Sequence, residues 1–276
     1  MENSTLRLLI PWDFTSVAEN ALKYSVKIGS LATAAQVELI HVVEAGGLFA
    51  KGKLSEKEAT EKLKIDYTRI KEQYGIEVKT TVMEGSIFHT ISDYAAEVNA
   101  DLVIMGTHGI KGVQKLTGSW ALKVIAGSSV PFLVVQDEPK QQNRVFEHVV
   151  MPLDFSFDEK VKLNWAIKVS IQYKSQIHII LPNAFDAGVQ KKVNYNLAFA
   201  KKHLENYSIP YEIHSAGKGS KFQEEIVKLA LDIEADLILI MTSGSLDFTD
   251  YVFGAQEQYV IANESKIPVM CINQSM

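Results

Sequence analysis

The chain contains very little cysteine and no excess of basic residues. Cys271 is the only cysteine among 276 residues, so no internal disulfide can form, and the sequence is not that of a disulfide-stabilised secreted domain. The 28 Lys and Arg residues are outnumbered by 33 Asp and Glu residues. Because nucleic-acid binding depends on a surplus of positive charge against phosphates, we expect no nucleic-acid partner.

Long hydrophobic runs are also absent. No apolar stretch reaches the roughly 18 residues that a membrane-spanning helix needs, and the N-terminal residues MENSTLRLLIPWD lack the basic and apolar regions of a signal peptide. We therefore expect a cytoplasmic protein with no membrane partner. The composition, 47% hydrophobic and 22% charged, is that of an ordinary globular protein.

The chain repeats itself, with offsets of 135 to 141 residues between matching segments. Three pairs of segments match in the same order: 7–16 (RLLIPWDFTS) with 148–157 (HVVMPLDFSF), 97–109 with 232–244, and 128–135 with 264–272. Ordered matches of this kind indicate a duplicated domain. A polar stretch, 137–144, lies between the copies and has the composition of a linker. We therefore predict two domains, 1–138 and 145–276.

Hydrophobic patterning predicts the architecture of each copy. Short apolar runs such as Leu8–Ile10 and Leu102–Met105 are typical of strands buried on both faces. Between them lie amphipathic stretches with helical spacing, one of which begins at a Ser55-x-x-Glu58 capping box and ends at Gly75. Five strands alternating with four helices predict an α/β fold with a parallel, doubly wound sheet, in which ligands bind beyond the carboxyl ends of the strands.

Two segments follow predicted strands at those carboxyl ends. Asp13 comes directly after the first strand, where a carboxylate can accept hydrogen bonds from a ribose or a base, or can simply help to cap the next helix. Residues 106–119 (GTHGIKGVQKLTGS) follow the fourth strand. Their glycines and the helix start that follows suit a phosphate chain, although a glycine-rich connection without any ligand fits the same pattern.

Taken together, the Pro-x-Asp-Phe strand end, the IMGTHG segment, the later Gly-Ser pair and the final VPFLVV strand resemble the universal stress protein family in its tandem two-domain form. The resemblance covers nearly the whole chain. It implies two Rossmann-like domains of the adenine nucleotide alpha hydrolase-like type, each a five-stranded parallel sheet flanked by helices. It also implies pairing through edge strands, ATP bound at the strand ends in many members, and a role in surviving stress rather than robust catalysis.

The resemblance also implies a set of nucleotide-binding residues. Asp13 would contact the adenine or ribose, Val42 would line the base, and the glycine-rich segment would approach the ribose and phosphates. His108 could serve as a ligand contact or as a packing residue. The family pattern places nine residues between G-x-x-G and the following Gly-Ser or Gly-Thr, whereas this chain has eight between Gly109 and Gly118. The expected cofactor-binding residues are Pro11, Asp13, Val42, Gly106, Thr107, His108, Gly109, Gly118 and Ser119.

The second copy departs from this pattern. Met241 replaces the first glycine of the loop, Ala255 replaces the serine, and Pro182 replaces the strand-end valine. Asp247 and Asp250 place negative charge where phosphates would lie. We therefore expect the site in the second domain to be degenerate. The second domain would instead serve as a built-in dimer partner for the first domain.

The resemblance therefore implies a stress-response regulatory module that binds one ATP, with Mg²⁺ neutralising the phosphates, in its N-terminal domain. Its further partners would be an unidentified protein and, in a homodimer, a second copy of the chain. The main alternative is a nucleotide-free scaffold with both sites degenerate. No catalytic residue is assigned, and the seven histidines show no metal-binding spacing such as H-E-x-x-H, so no metal ligand is predicted. At most, slow ATP hydrolysis would be expected.

Overall fold

The computed structural model describes residues 5–44, 54–107, 123–126, 128–139, 145–154, 159–183, 186–242 and 255–273. These residues form an α/β protein with parallel strands and helices between them, which confirms the predicted fold class. The chain divides into two compact units, one ending at residue 142 and the other beginning at residue 143. No helix within the described ranges is both long and apolar enough to cross a membrane.

The first unit contains five parallel strands in the order β3-β2-β1-β4-β5. They are β1 (Leu6–Pro11), β2 (Ala35–Val43), β3 (Val78–Glu84), β4 (Leu102–Gly106) and β5 (Phe132–Val135). The helices are α1 (Ser16–Ser30), α2 (Glu56–Tyr74) and α3 (Ile87–Glu97), and residues 123–126 are also helical.

Local sequence signals explain where these helices begin and end. Thr15 caps α1, because its hydroxyl accepts a hydrogen bond from the amide of Ala18. Ser55 and Glu58 form the predicted capping box at the start of α2, and Gly75 ends that helix in the left-handed conformation with φ of 68°. The predicted apolar face of α1 is buried; it comprises Val17, Ala21, Tyr24 and Ile28.

The strand order of the first unit reverses at β1. β2 and β3 extend the sheet on one side of β1, whereas β4 pairs with its other side. The chain therefore leaves the ends of β1 and β4 in opposite directions, which opens a crevice between them. Asp13 follows β1, and Gly106 ends β4, so two of the predicted site residues lie at this crevice.

The second unit has the same strand order, β8-β7-β6-β9-β10. Its strands are β6 (His148–Pro152), β7 (Gln176–Leu181), β8 (Tyr211–Ser215), β9 (Leu237–Thr242) and β10 (Val269–Asn273). Its helices are α4 (Glu159–Tyr173), α5 (Ala187–Asn206), α6 (Phe222–Asp232) and α7 (Ala255–Ile261). Cys271 on β10 is buried in the core, as expected for a thiol within an apolar strand.

Candidate nucleotide site

A pocket opens at the crevice between β1 and β4. Its cavity volume is about 250 Å³. Five of the nine predicted site residues are described by the structure, and all five line this pocket: Pro11, Asp13, Val42, Gly106 and Thr107. The remaining four, His108, Gly109, Gly118 and Ser119, lie outside the described residues. The strand-end residues that the sequence separates by up to 96 positions are thus brought to one cavity.

Asp13 helps to hold the start of α1. Its Oδ1 accepts hydrogen bonds from the Thr15 hydroxyl at 2.5 Å and from the Thr15 amide at 3.1 Å. Thr15 in turn caps the helix. The helix-capping interpretation of Asp13 is therefore supported. Asp13 is nevertheless exposed, and its Oδ2 makes no hydrogen bond to any residue that the structure describes, so the carboxylate still has an oxygen for a ligand.

Gly106 is required by the packing of α1 against β4. A Cβ atom at this position would lie 2.0 Å from the carbonyl oxygen of Val17 and 3.0 Å from the amide nitrogen of Ala18. Both are main-chain atoms, which cannot rotate away from the contact. The glycine is therefore needed for close helix–strand contact at the pocket, independently of any ligand.

Trp12 forms part of the pocket wall and is fixed by hydrogen bonds. Its side chain is 3% exposed, and its indole N–H donates to Asp66 Oδ2 on α2 at 2.8 Å. The carbonyl of Trp12 accepts from His41 Nδ1 at 2.7 Å. Because a carbonyl can only accept, Nδ1 of His41 is the donor in this hydrogen bond, and in the Nδ1–H tautomer Nε2 is an acceptor.

His41 is a pocket residue that sequence reasoning missed. It precedes Val42 on β2, and both residues line the cavity. Its ring also contacts the Phe14 ring, with 4.8 Å between centroids. In the sequence, His41 is marked only by its position directly before Val42 at the end of a strand. Because successive side chains of a strand point to opposite faces of the sheet, this position did not suggest that both residues line one pocket.

Apolar side chains complete the cavity. They come from β2, α3, β4 and the helical residues 123–126, and include Ile40, Ile87, Ile91, Met105 and Val124. Such a lining, with a few polar groups at one side, is typical of small-molecule sites. Asp13 is the only ionisable carboxylate among the described lining residues.

A charged network joins α1 to α2 beside this pocket. Arg69 donates to both carboxylate oxygens of Glu19, at 3.0 and 2.8 Å, and Tyr74 donates to Glu19 Oε1 at 2.9 Å. Partial burial would raise the pKa of Glu19, but the hydrogen bonds from Arg69 and Tyr74 outweigh it and lower the pKa. Burial, with Glu19 alongside, raises the pKa of Tyr74 to about 12. Arg69 also contacts Asp66, the acceptor for Trp12.

The second unit has charged residues at the equivalent place. At the 141-residue offset, Ala18 and Ala21 of the first unit correspond to Glu159 and Lys162, which are 5% and 3% exposed. Lys162 Nζ donates to Glu159 Oε1 at 2.9 Å and to the carbonyl of Pro152 at the end of β6. Burial raises the pKa of Glu159, and the neighbouring ammonium opposes the rise. An internal ion pair therefore stands at the strand end of the second unit.

Comparisons with known proteins agree with this geometry. The model of the universal stress protein family matches residues 5–136. Universal stress protein MJ0531 of Methanocaldococcus jannaschii is 33% identical over 151 residues, which cover 51% of this chain and 87% of that protein. The chain belongs to the universal stress protein family.

Other universal stress proteins show the same relationship. Universal stress protein Sll1654 of Synechocystis is 33% identical over 132 residues, covering 46% of this chain and 83% of that protein. Among solved structures, a universal stress protein from Archaeoglobus fulgidus has a TM-score of 0.76 at 19% identity and covers 97% of this chain and 98% of its own. A putative universal stress protein from Pseudomonas aeruginosa has a TM-score of 0.65 at 13% identity, covering 98% of this chain and 94% of its own. These structural similarities concern the fold alone.

Proposed function

We propose that the first unit binds ATP at the pocket between the ends of β1 and β4, and that this universal stress protein acts as a nucleotide-responsive regulatory module. The observation that carries the proposal is the meeting of strand-end residues from β1, β2 and β4 around one cavity at the point where the strand order reverses. Ligands of doubly wound sheets bind at this point.

The described lining suits the base and ribose of a nucleotide. Ile40, Val42 and Ile87 offer an apolar surface for the flat faces of adenine. Asp13 Oδ2 can accept a hydrogen bond from a ribose hydroxyl, and His41 Nε2 can accept one from the adenine amino group. The cavity of about 250 Å³ lies just below the usual range of roughly 300–1,000 Å³ for ligand pockets, so we assign only the nucleoside part of the nucleotide to it. The phosphates would extend along residues 108–119.

Mg²⁺ would accompany the triphosphate. Asp13 is the one carboxylate among the described lining residues, so the ion would be held mainly by phosphate oxygens and water. When bound, it would supply neutralisation of the phosphate charge. A single carboxylate offers no paired acid and base, so the proposal assigns binding and not turnover to this pocket.

The proposal assigns one nucleotide to each chain. The buried Lys162–Glu159 pair stands in the second unit where small alanine side chains stand in the first. Binding there would require two buried charged groups to separate, which costs several kcal/mol by order of magnitude. The second unit is accordingly proposed as a degenerate copy of the same domain.

A nucleotide-free scaffold is the second candidate. Two observations favour it: Asp13 has a structural partner in Thr15, and the packing of α1 explains Gly106 without a ligand. Under this alternative the first unit would keep its fold and bind no nucleotide.

Calorimetric titration of the full chain with Mg-ATP separates the two candidates. We expect one binding event per chain, lost in Val42→Trp, where an indole would fill the base pocket. The matched control is Pro182→Trp, which places the same side chain at the equivalent strand end of the second unit and should leave binding intact. Absence of binding heat in the wild-type protein, or equal loss in both variants, would contradict the proposal.

A further inference from the structure

Three histidines and a glutamate converge on the sheet of the second unit. His148, His178 and His214 come from the adjacent strands β6, β7 and β8, and Glu212 lies two residues before His214. The strand register places His178 directly opposite Glu212. Since alternate residues of a strand share a face, Glu212 and His214 both lie on the face that carries His178.

The distances among three of these side chains match a metal coordination triangle. His178 Nδ1 lies 3.2 Å from His214 Nε2 and 3.6 Å from Glu212 Oε2, and the last two atoms are 3.7 Å apart. A point equidistant from the three atoms lies about 2.0 Å from each, which is the length of zinc–nitrogen and zinc–carboxylate bonds. The three atoms therefore need no large movement to share one ion.

Hydrogen bonds already orient two of the three groups. His178 Nε2 lies 3.0 Å from His148 Nδ1, so a ring that binds a metal through Nδ1 can donate its other N–H to His148. Gln176 donates to Glu212 Oε1 at 2.8 Å, which leaves Oε2 as the atom nearest the histidines. Supporting contacts of this kind are a regular feature of metal-binding histidines and carboxylates.

The first unit has a different group at the same positions. The strand registers align His178, Glu212 and His214 with Glu38, Lys79 and Thr81. There the Lys79 ammonium lies 3.0 Å from Glu38 Oε1, and that oxygen also accepts from Thr81 at 2.7 Å and from Tyr94 at 2.5 Å. In the first unit, the Lys79 ammonium thus supplies the positive charge that pairs with the carboxylate at this position.

We propose that His178, His214 and Glu212 of the second unit bind a divalent transition-metal ion, with zinc as the matching metal. Two imidazoles and one carboxylate are a donor set that zinc favours, and the partly exposed Glu212 and His214, at 55% and 26%, leave room for water as a fourth ligand. The sequence predicted no metal ligand, because these residues are distributed over two strands and lack a short-spacing motif. The site is independent of the nucleotide proposed for the first unit.

Zinc titration of the tag-free, chelator-stripped full chain tests the proposal, with a chromophoric zinc chelator as competitor and no nucleotide present. We expect one zinc per chain, with affinity at least about tenfold weaker in His214→Gln and in Glu212→Gln. Both side chains are partly exposed, and circular dichroism will show whether each variant is folded. The control, His203→Gln, removes a partly exposed histidine of α5 that hydrogen-bonds the Phe199 carbonyl, and should bind zinc as the wild type does.

Cobalt gives an independent readout. Co²⁺ added to the stripped wild-type protein should develop the visible absorption of a tetrahedral complex, and His214→Gln should not. The proposal is overturned if the wild type binds no zinc, if folded His214→Gln and Glu212→Gln keep wild-type affinity, or if His203→Gln loses binding to the same extent.

Discussion

Substituting Gly106 by alanine should damage the first unit more than its small size suggests. The added Cβ would lie 2.0 Å from the Val17 carbonyl oxygen and 2.3 Å from its carbonyl carbon. Non-bonded heavy atoms normally stay at least about 3.2–3.5 Å apart, so β4 or α1 must move by more than about 1 Å. Val17 and Ala18 are buried, and the contact atoms belong to the main chain, which leaves no side-chain rotation to relieve it.

The expected cost is at least about 3 kcal/mol, at or above the upper end of the usual 1–3 kcal/mol for overpacking, because main-chain atoms are involved. Native-state amide hydrogen exchange, read by mass spectrometry of β1 and β4 peptides, reports on this unit separately from the other. The matched control is Gly75→Ala, where the added Cβ meets nothing within 4 Å and only the positive φ of 68° opposes it. A control cost of about 1 kcal/mol is expected. If Gly106→Ala costs no more than Gly75→Ala, then the close contact of Gly106 with the main chain of α1 does not limit stability.

Buried and paired groups in both units can be tested by substitution or chemical modification. Replacing Arg69 by methionine should destabilise the first unit by about 1 kcal/mol, because the guanidinium is partly exposed and its pairing with Glu19 is screened. The pKa of Glu19 is lowered in the folded protein, so its pairing with Arg69 stabilises the fold at pH values above the unfolded-state pKa of about 4.5. The difference in free energy of unfolding between variant and wild type, measured by urea titration, should therefore shrink as the pH falls below that value. A difference that stays constant with pH would contradict this. Lys162→Met should cost about 3–5 kcal/mol by leaving Glu159 buried without its cation, and the double change with Glu159→Gln should cost less in thermal denaturation; a larger loss in the double variant would refute the pairing. Burial raises the pKa of the Cys271 thiol, so a thiol reagent such as dithionitrobenzoate should react only after unfolding, and rapid reaction of the native protein would show that the strand is not closed.

Periodic and local signals made the fold predictable from sequence. The capping box at Ser55 and the glycine stop at Gly75 depend on neighbouring residues only, and both are present as predicted. Asp13 and Gly106 could also be placed near each other, because both follow predicted parallel strands and the carboxyl ends of such strands meet at one edge of a sheet. Val42 was assigned only through the resemblance to the universal stress protein family, and it lines the same pocket.

Features that depend on tertiary contacts could not be predicted from the sequence. Lys162 lies on the buried face of α4, but lysine is a residue type that is usually exposed, so nothing in the sequence indicated that it would pair with Glu159 at the end of β6. The ring nitrogens of His178 and His214 meet because two strands pair in a particular register, and 35 intervening residues conceal their proximity in the sequence. The close contact of Gly106 with Val17 likewise requires the position of α1.

A crystal structure of the full chain grown with Mg-ATP would test the proposed nucleotide site without intermediate assumptions. We expect one nucleotide per chain, with its base against Val42 and His41, its ribose beside Asp13, and its phosphates directed toward residues 108–119. A pocket between β1 and β4 that stays empty at saturating Mg-ATP, or a nucleotide bound instead at the Lys162 end of β6, would contradict it.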